Sequence, residues 1–230
     1  MPRRLRRILV LGVIAAVVLV GGAFAAFALR GGDAPPPPAL SEPPPTATAT
    51  ATAAPAEPDD ATTYEIVSNG QTFVGYRVRE EFAGFGVKDA VGRTPDVSGI
   101  AVIEGDAITT AQLSAELTTL TSDDGRRDNA LRDRGIESAR FPTAEFELAE
   151  PAALGRERTT ARGRLTLHGE TKPIQVRLRS QPVGDQLELV GSAPIAFADF
   201  GIEPPSVAGF VTVEDEGTLE FKLRLRPVAS

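Results

Sequence analysis

From residue 62 to the end of the chain, apolar and polar side chains alternate with a period of two. The alternation is clearest in the segments 161–168, 174–179 and 219–226. Successive side chains of a β-strand point to opposite faces, so each segment has one apolar and one solvated face. That pattern is typical of antiparallel sheet with one face packed on a core.

Short glycine-containing turns separate these segments, at 104–106, 168–170 and 183–185. About eight strands joined mostly by such hairpins predict an all-β fold, an antiparallel up-and-down barrel of eight strands. A β-sandwich has the same local pattern and stays open as an alternative. One short helix is predicted over 126–134, because 121–124 forms a capping signature and Gly135 can end a helix.

The first 29 residues determine the expected cellular location of the protein. Residues 1–7 carry four arginines, and residues 8–29 are uncharged and mostly apolar. As a helix this run would reach about 33 Å, which matches a hydrocarbon core of about 30 Å. We predict a transmembrane anchor at 8–29 with residues 1–7 in the cytoplasm, giving a single-pass protein of the cell membrane with an extracytoplasmic domain. Cleavage as a signal peptide is the alternative, and would give a secreted protein.

Residues 30–61 are rich in proline, alanine and threonine, with no apolar side chain larger than Leu40. A segment of this composition does not bury enough apolar surface to offset the entropy of folding. We therefore predict a disordered linker that acts as a semi-rigid spacer, followed by one domain over 62–230.

Composition excludes several classes of function. The net charge of −7 lies wholly on the domain, which makes it a poor partner for nucleic acid. With no cysteine and one histidine, thiolate chemistry and histidine-cluster metal sites are not available. His168 lies at a turn, and the alternation places it on the solvated face of its strand. We interpret it as a local hydrogen-bonding residue rather than a catalytic base. No catalytic residue, metal site or cofactor is predicted.

Two groups of acidic residues are candidate sites. Asp123, Asp124 and Asp128 do not have EF-hand spacing, and helix capping with local ion pairs explains them more simply. Glu80 and Glu81 are adjacent on a predicted strand, so their side chains point to opposite faces and do not converge.

Four ordered motifs resemble the YceI-like family. They are 121–131 (TSDDGRRDNAL), 141–146 (FPTAEF), 163–173 (GRLTLHGETKP) and 199–202 (DFGI). The resemblance covers roughly residues 62–226. It implies a lipocalin-like barrel that holds polyisoprenoid or other long-chain lipids, in exported bacterial proteins without established catalysis.

This sequence departs from the family pattern in the first strands. Tyr76 and Arg77 stand where the family usually has a histidine, and the segment 80–95 looks longer than usual. The segment 82–87 is interpreted either as a flexible apolar segment at the mouth of the barrel or as a loop whose side chains fill the core. The identity of the ligand therefore does not carry over.

The phase of the strands gives the candidate ligand-binding residues. They are Val74, Tyr76, Val78, Phe82, Phe85, Leu113, Leu117, Phe146, Leu165, Leu167, Ile195 and Phe197. The leading hypothesis is a membrane-tethered module that binds an isoprenoid or acyl lipid inside the barrel. The alternative is a structural or protein-interaction ectodomain with a filled barrel, and an enzyme is the third option. A homodimer is compatible with the sequence.

Overall fold

The computed structural model describes residues 34–42, 61–84, 86–204 and 211–228. In these residues the strands are β1 (Thr62–Ile66), β2 (Phe73–Phe82), β3 (Gly86–Thr94), β4 (Val97–Glu104), β5 (Ala107–Glu116), β6 (Thr121–Ser122), β7 (Thr143–Leu148), β8 (Ala152–Ala153), β9 (Thr159–Leu167), β10 (Glu170–Val183), β11 (Gln186–Ala196) and β12 (Val211–Pro227). The helix α1 spans Gly125–Arg134, and a 3-10 helix spans Phe197–Phe200.

The strands form one antiparallel sheet that closes on itself. Two of the eight barrel strands are each interrupted. The first is made of β1 followed by β2, and the second of β3 followed by β4, because β1 pairs with β4 and β2 pairs with β3. The order then follows the chain through β5, β7, β9, β10, β11 and β12. Pairing of β12 with both β1 and β2 closes the circle. This confirms the predicted eight-stranded up-and-down barrel and excludes the sandwich.

The hairpin turns lie where the sequence predicted them. Leu167 pairs with Glu170, leaving His168 and Gly169 as a two-residue turn with φ of 53° and 79°. Positive φ at both residues is the geometry that matches the right-handed twist of the flanking strands. Gly105 and Gly184 begin the other two hairpin turns, also with positive φ.

The apolar phase of each strand faces the barrel interior. Several aromatic rings lie flat along the wall, because a glycine on the next strand leaves room for them. A Cβ at Gly163 would overlap the ring of Phe146, and one at Gly191 would overlap the ring of Phe221. Rings placed in this way do not cross the lumen, which leaves open space inside the barrel.

The helix α1 confirms the sequence prediction and begins one residue earlier. Asp124 is its N-cap, and the side chain accepts a hydrogen bond from the backbone N–H of Arg126 at 2.8 Å. At the C-terminal end, the N–H of Gly135 donates to the carbonyl of Ala130. Leu131 contributes to the lining of the interior, so α1 covers one end of the barrel.

Residues 34–42, here called the strap, lie against the outer face of the barrel. Proline has no N–H, so the strap presents mainly carbonyl oxygens, and side chains of the barrel donate to them. Arg77 donates to the carbonyl of Pro35 at 2.6 Å, and Arg93 donates to that of Pro36 at 3.2 Å.

The end of the strap covers a buried carboxylate on β11. The side chain of Glu188 is fully buried although it lies on the outer face of the wall. It accepts hydrogen bonds from the backbone N–H of Ser41 at 2.6 Å and from its hydroxyl at 2.8 Å. Arg224 and Lys222 lie 2.8 and 3.1 Å from the same carboxylate. The strap is therefore an integral part of the barrel domain.

The strap lies within the predicted linker, 30–61. Over 34–42 the side chains of Arg77, Arg93 and Gln181, which are far away in the sequence, donate to carbonyl groups of the strap. The remainder of that segment lies outside the described residues. The predicted anchor at 8–29 also lies outside them, and among the residues that are described no helix is long and apolar enough to cross a membrane.

Candidate functional site

Two adjacent apolar cavities occupy the inside of the barrel. The end chamber, next to α1, has a volume of about 120 Å³, and the central chamber about 90 Å³. Val74, Ala144 and Leu219 line both, so the two chambers are neighbours that share part of their walls. By this measure a single water needs roughly 10–15 Å³, so each chamber is far larger than a packing defect.

The structure brings most of the predicted ligand-binding residues together around these chambers. The following ten line one chamber or both: Val74, Tyr76, Val78, Leu113, Leu117, Phe146, Leu165, Leu167, Ile195 and Phe197. Phe82 is buried near the β2–β3 turn and lines neither chamber. Phe85 lies outside the described residues.

Part of the end chamber comes from segments that sequence phase did not single out. Leu131 of α1 and Ile136 just beyond it form one side. Ile202 and Pro204, which follow the 3-10 helix, form another. These residues are outside the strands, where a period of two gives no information about direction. The apolar positions of α1 and the motif 199–202 were the available signals.

Tyr76 places a hydroxyl group against the end chamber. Its ring lies over Gly92 of β3, where a Cβ would overlap the ring. The Oη atom is buried and has no hydrogen-bond partner among the residues that the structure describes. Burial raises the pKa of Tyr76 well above its ordinary value, and nearby carboxylates add to this effect against the opposing charge of Arg127. The phenol therefore stays protonated at any physiological pH and is an unused donor.

A buried ion pair lies at the same end of the interior. Arg127 donates from Nε and Nη2 to the two carboxylate oxygens of Glu80, both at 2.9 Å. Its Nη1 donates to Asp123 at 2.5 Å. Burial by itself lowers the pKa of Arg127, but the hydrogen bonds and charge of Glu80 outweigh it, and the pKa lies above its ordinary value.

The side chains of Glu80 and Glu81 point to opposite faces of the strand, as the alternation predicts. Glu81 points outward and is exposed. Glu80, however, is buried in phase with Tyr76 and Val78, and its partner comes from a helix 47 residues further along. The sequence signal for this ion pair was a carboxylate on the same face of the strand as buried apolar residues, since a buried carboxylate requires a nearby cation.

The other polar candidates have structural roles. His168 is partly buried rather than exposed, and its Nδ1 lies 2.9 Å from the carbonyl oxygen of Phe200. A carbonyl only accepts, so this nitrogen donates and ties the β9–β10 turn to the 3-10 helix. Asp128 accepts from the hydroxyl of Ser122 at 2.6 Å. In the described part of the chain, no group of three acidic or histidine side chains is placed to hold a metal ion.

Comparison with known proteins assigns the family. The model of the YceI-like domain matches residues 64–225, which is almost the whole barrel. The chain belongs to the YceI-like family. The match begins in β1 and ends in β12, so it includes every strand that forms the closed sheet.

Curated relatives agree with this assignment. A UPF0312 protein of Vibrio cholerae is 28% identical over 115 residues, covering 47% of this chain and 61% of the relative. A UPF0312 protein of Pseudomonas aeruginosa is 28% identical over 156 residues, covering 62% of this chain and 78% of the relative.

Solved structures share the fold. A polyisoprenoid binding domain from Saccharophagus degradans superposes with a TM-score of 0.56 at 17% identity, covering 73% of this chain and 99% of that domain. BcnA of Burkholderia cenocepacia gives a TM-score of 0.52 at 18% identity, covering 65% of this chain and 95% of BcnA. At these identities the likeness concerns the barrel architecture.

Proposed function

We propose that this YceI-like protein binds a long-chain isoprenoid or acyl lipid inside its barrel. The observation that supports this most strongly is the pair of adjacent chambers, whose walls are almost entirely apolar. Their end-to-end arrangement suits an extended chain better than a compact ligand. The Saccharophagus degradans domain, described as polyisoprenoid binding, has the same fold.

Burial of the ligand's chain supplies the affinity. Each methylene removed from water contributes about 0.8 kcal/mol. A long chain can therefore bind through shape complementarity and the exclusion of water, with few polar contacts. Leu113 and Phe146 in the central chamber, and Leu117 and Ile195 in the end chamber, supply that environment.

The alternatives are less well supported. A filled barrel that acts through its outer surface would have packed side chains in place of the two chambers. An enzyme would need polar groups free to act on a substrate. Glu80 and Arg127 face the interior but are engaged with each other through two hydrogen bonds.

The test of binding is extraction of the full chain, expressed in a bacterial host, followed by mass spectrometry of the extract. We expect about one long-chain lipid per protein, as one chain fills one barrel. Leu113→Arg puts a charge into the central chamber and should abolish the lipid. Gln112→Arg, the matched control on the outer face of the same strand, should retain it. A folded wild-type protein that contains no lipid and takes up none would overturn the proposal.

We further propose that residues 8–29 anchor the protein in the cell membrane, with the barrel outside. The basic residues in 1–7 and the length of the apolar run support this orientation. Residues 43–60 would then separate the barrel domain, including its strap, from the membrane.

The absence of cysteine allows a direct topology test. Thr48→Cys introduces the only thiol, which a membrane-impermeant maleimide should label in intact cells with the protein in the membrane fraction. Pro2→Cys should be labelled only after lysis. Labelled protein in the medium would indicate cleavage of the anchor, and a Thr48→Cys variant that reacts only after lysis would contradict export.

A further inference from the structure

The end chamber contains one polar group that the protein itself does not use. Tyr76 lines this mostly apolar cavity, and its Oη is buried and has no hydrogen-bond partner among the described residues. A buried hydroxyl without a partner is unfavourable by an amount comparable to a lost hydrogen bond. A ligand that brings an oxygen acceptor to this position removes that penalty.

We propose that Tyr76 donates a hydrogen bond to an uncharged oxygen at the polar end of the bound lipid, so that the site selects neutral head groups over phosphate. This inference rests on the proposed lipid binding and specifies the class of ligand.

The charges around the chamber disfavour an anion. One cation, Arg127, faces Glu80, Asp123 and Asp128 in the same neighbourhood of Tyr76. The guanidinium is held by both oxygens of Glu80 and by Asp123. A phosphate would have to displace Glu80 from this ion pair, leaving a buried carboxylate without a partner. An ether, ester, ketone or hydroxyl oxygen requires no such rearrangement.

The geometry also determines which partner donates. The phenol remains protonated, so Tyr76 offers a proton and the ligand needs only a lone pair. An acceptor without a proton of its own should therefore bind as well as an alcohol. This distinguishes a hydrogen bond to Tyr76 from general polarity at the chamber end.

The test uses the immobilised full chain and four tritiated ligands with the same geranylgeranyl chain. Their ends are a methyl ether, an alcohol, a phosphate and a plain hydrocarbon. We expect the ether and the alcohol to bind alike, and about 3- to 10-fold more tightly than the hydrocarbon. The phosphate should bind more weakly than the ether. Tyr76→Phe should abolish the preference for ether over hydrocarbon. Tyr64→Phe, which changes the protein's second tyrosine, should keep it.

The outcomes separate the two proposals. Equal binding of all four ligands, or an ether preference that survives Tyr76→Phe, overturns the head-group inference and leaves lipid binding standing. Tightest binding of the phosphate, lost in Arg127→Met, also overturns it. No binding of any of the four ligands by the folded wild-type protein overturns both.

Discussion

Removal of one hydroxyl group from the strap should measurably destabilise the barrel. The Ser41 hydroxyl donates to the buried carboxylate of Glu188 at 2.8 Å and accepts from Lys222 at 3.0 Å and Arg224 at 3.2 Å. A hydrogen bond to a charged group contributes about 1.5–3 kcal/mol. The Ser41 backbone N–H and the two cations remain in Ser41→Ala, so we expect a loss near the lower value, about 1.5 kcal/mol.

The assay is urea unfolding of the full chain followed by far-ultraviolet circular dichroism, with Ser98→Ala at an exposed position of β4 as the control. The control should change the free energy of unfolding by less than about 0.5 kcal/mol. An equally small change in Ser41→Ala would refute the claim that the strap is an integral part of the domain.

The pH dependence gives a second readout of the same contact. Burial raises the pKa of Glu188, but hydrogen bonds from Ser41, Lys222 and Gln181 outweigh it and lower the pKa below its ordinary value of 4.5. A carboxyl with a lowered pKa in the folded state stabilises the protein above its unfolded pKa, and this stabilisation is lost as pH falls through the folded value. The difference between wild type and Ser41→Ala should be full at neutral pH and shrink below about pH 4.5.

Three further predictions concern the interior and the helix. Arg127→Met should cost about 3–5 kcal/mol because it leaves Glu80 buried and unpaired, whereas the double variant with Glu80→Leu should recover most of this in urea unfolding; a double variant as unstable as the single one would contradict the ion-pair account. Gly163→Ala should cost about 1–3 kcal/mol, since its Cβ would overlap both the ring of Phe146 and the backbone oxygen of Glu147; an unchanged melting temperature would contradict this close packing. Asp124→Ala removes the N-cap of α1 and should cost about 1 kcal/mol, with Asp124→Asn close to wild type as its control.

The sequence was most informative where a local rule is strong. A period of two identified the strands, because a strand with one buried face requires it. The turn at His168 and Gly169 could be predicted because few residue pairs tolerate positive φ at both positions. The cap at Asp124 likewise depends only on residues within one turn of the helix.

Features that depend on distant partners could not be predicted in this way. The strap is held by Arg77 and Glu188, which lie 42 and 147 residues from their partners in the strap. Its composition alone indicates disorder, and only the donors on the folded barrel make its docking favourable. The Glu80–Arg127 pair is similar, since the alternation gave the direction of Glu80 but not the helix that neutralises it.

The measurement that tests the central claim most directly is a crystal structure of the full chain with geranylgeranyl methyl ether. The account predicts continuous ligand density through the end and central chambers, with the ether oxygen within hydrogen-bond distance of Tyr76 Oη. Interior side chains collapsed into both chambers, with the ligand bound only on the outer surface, would contradict it.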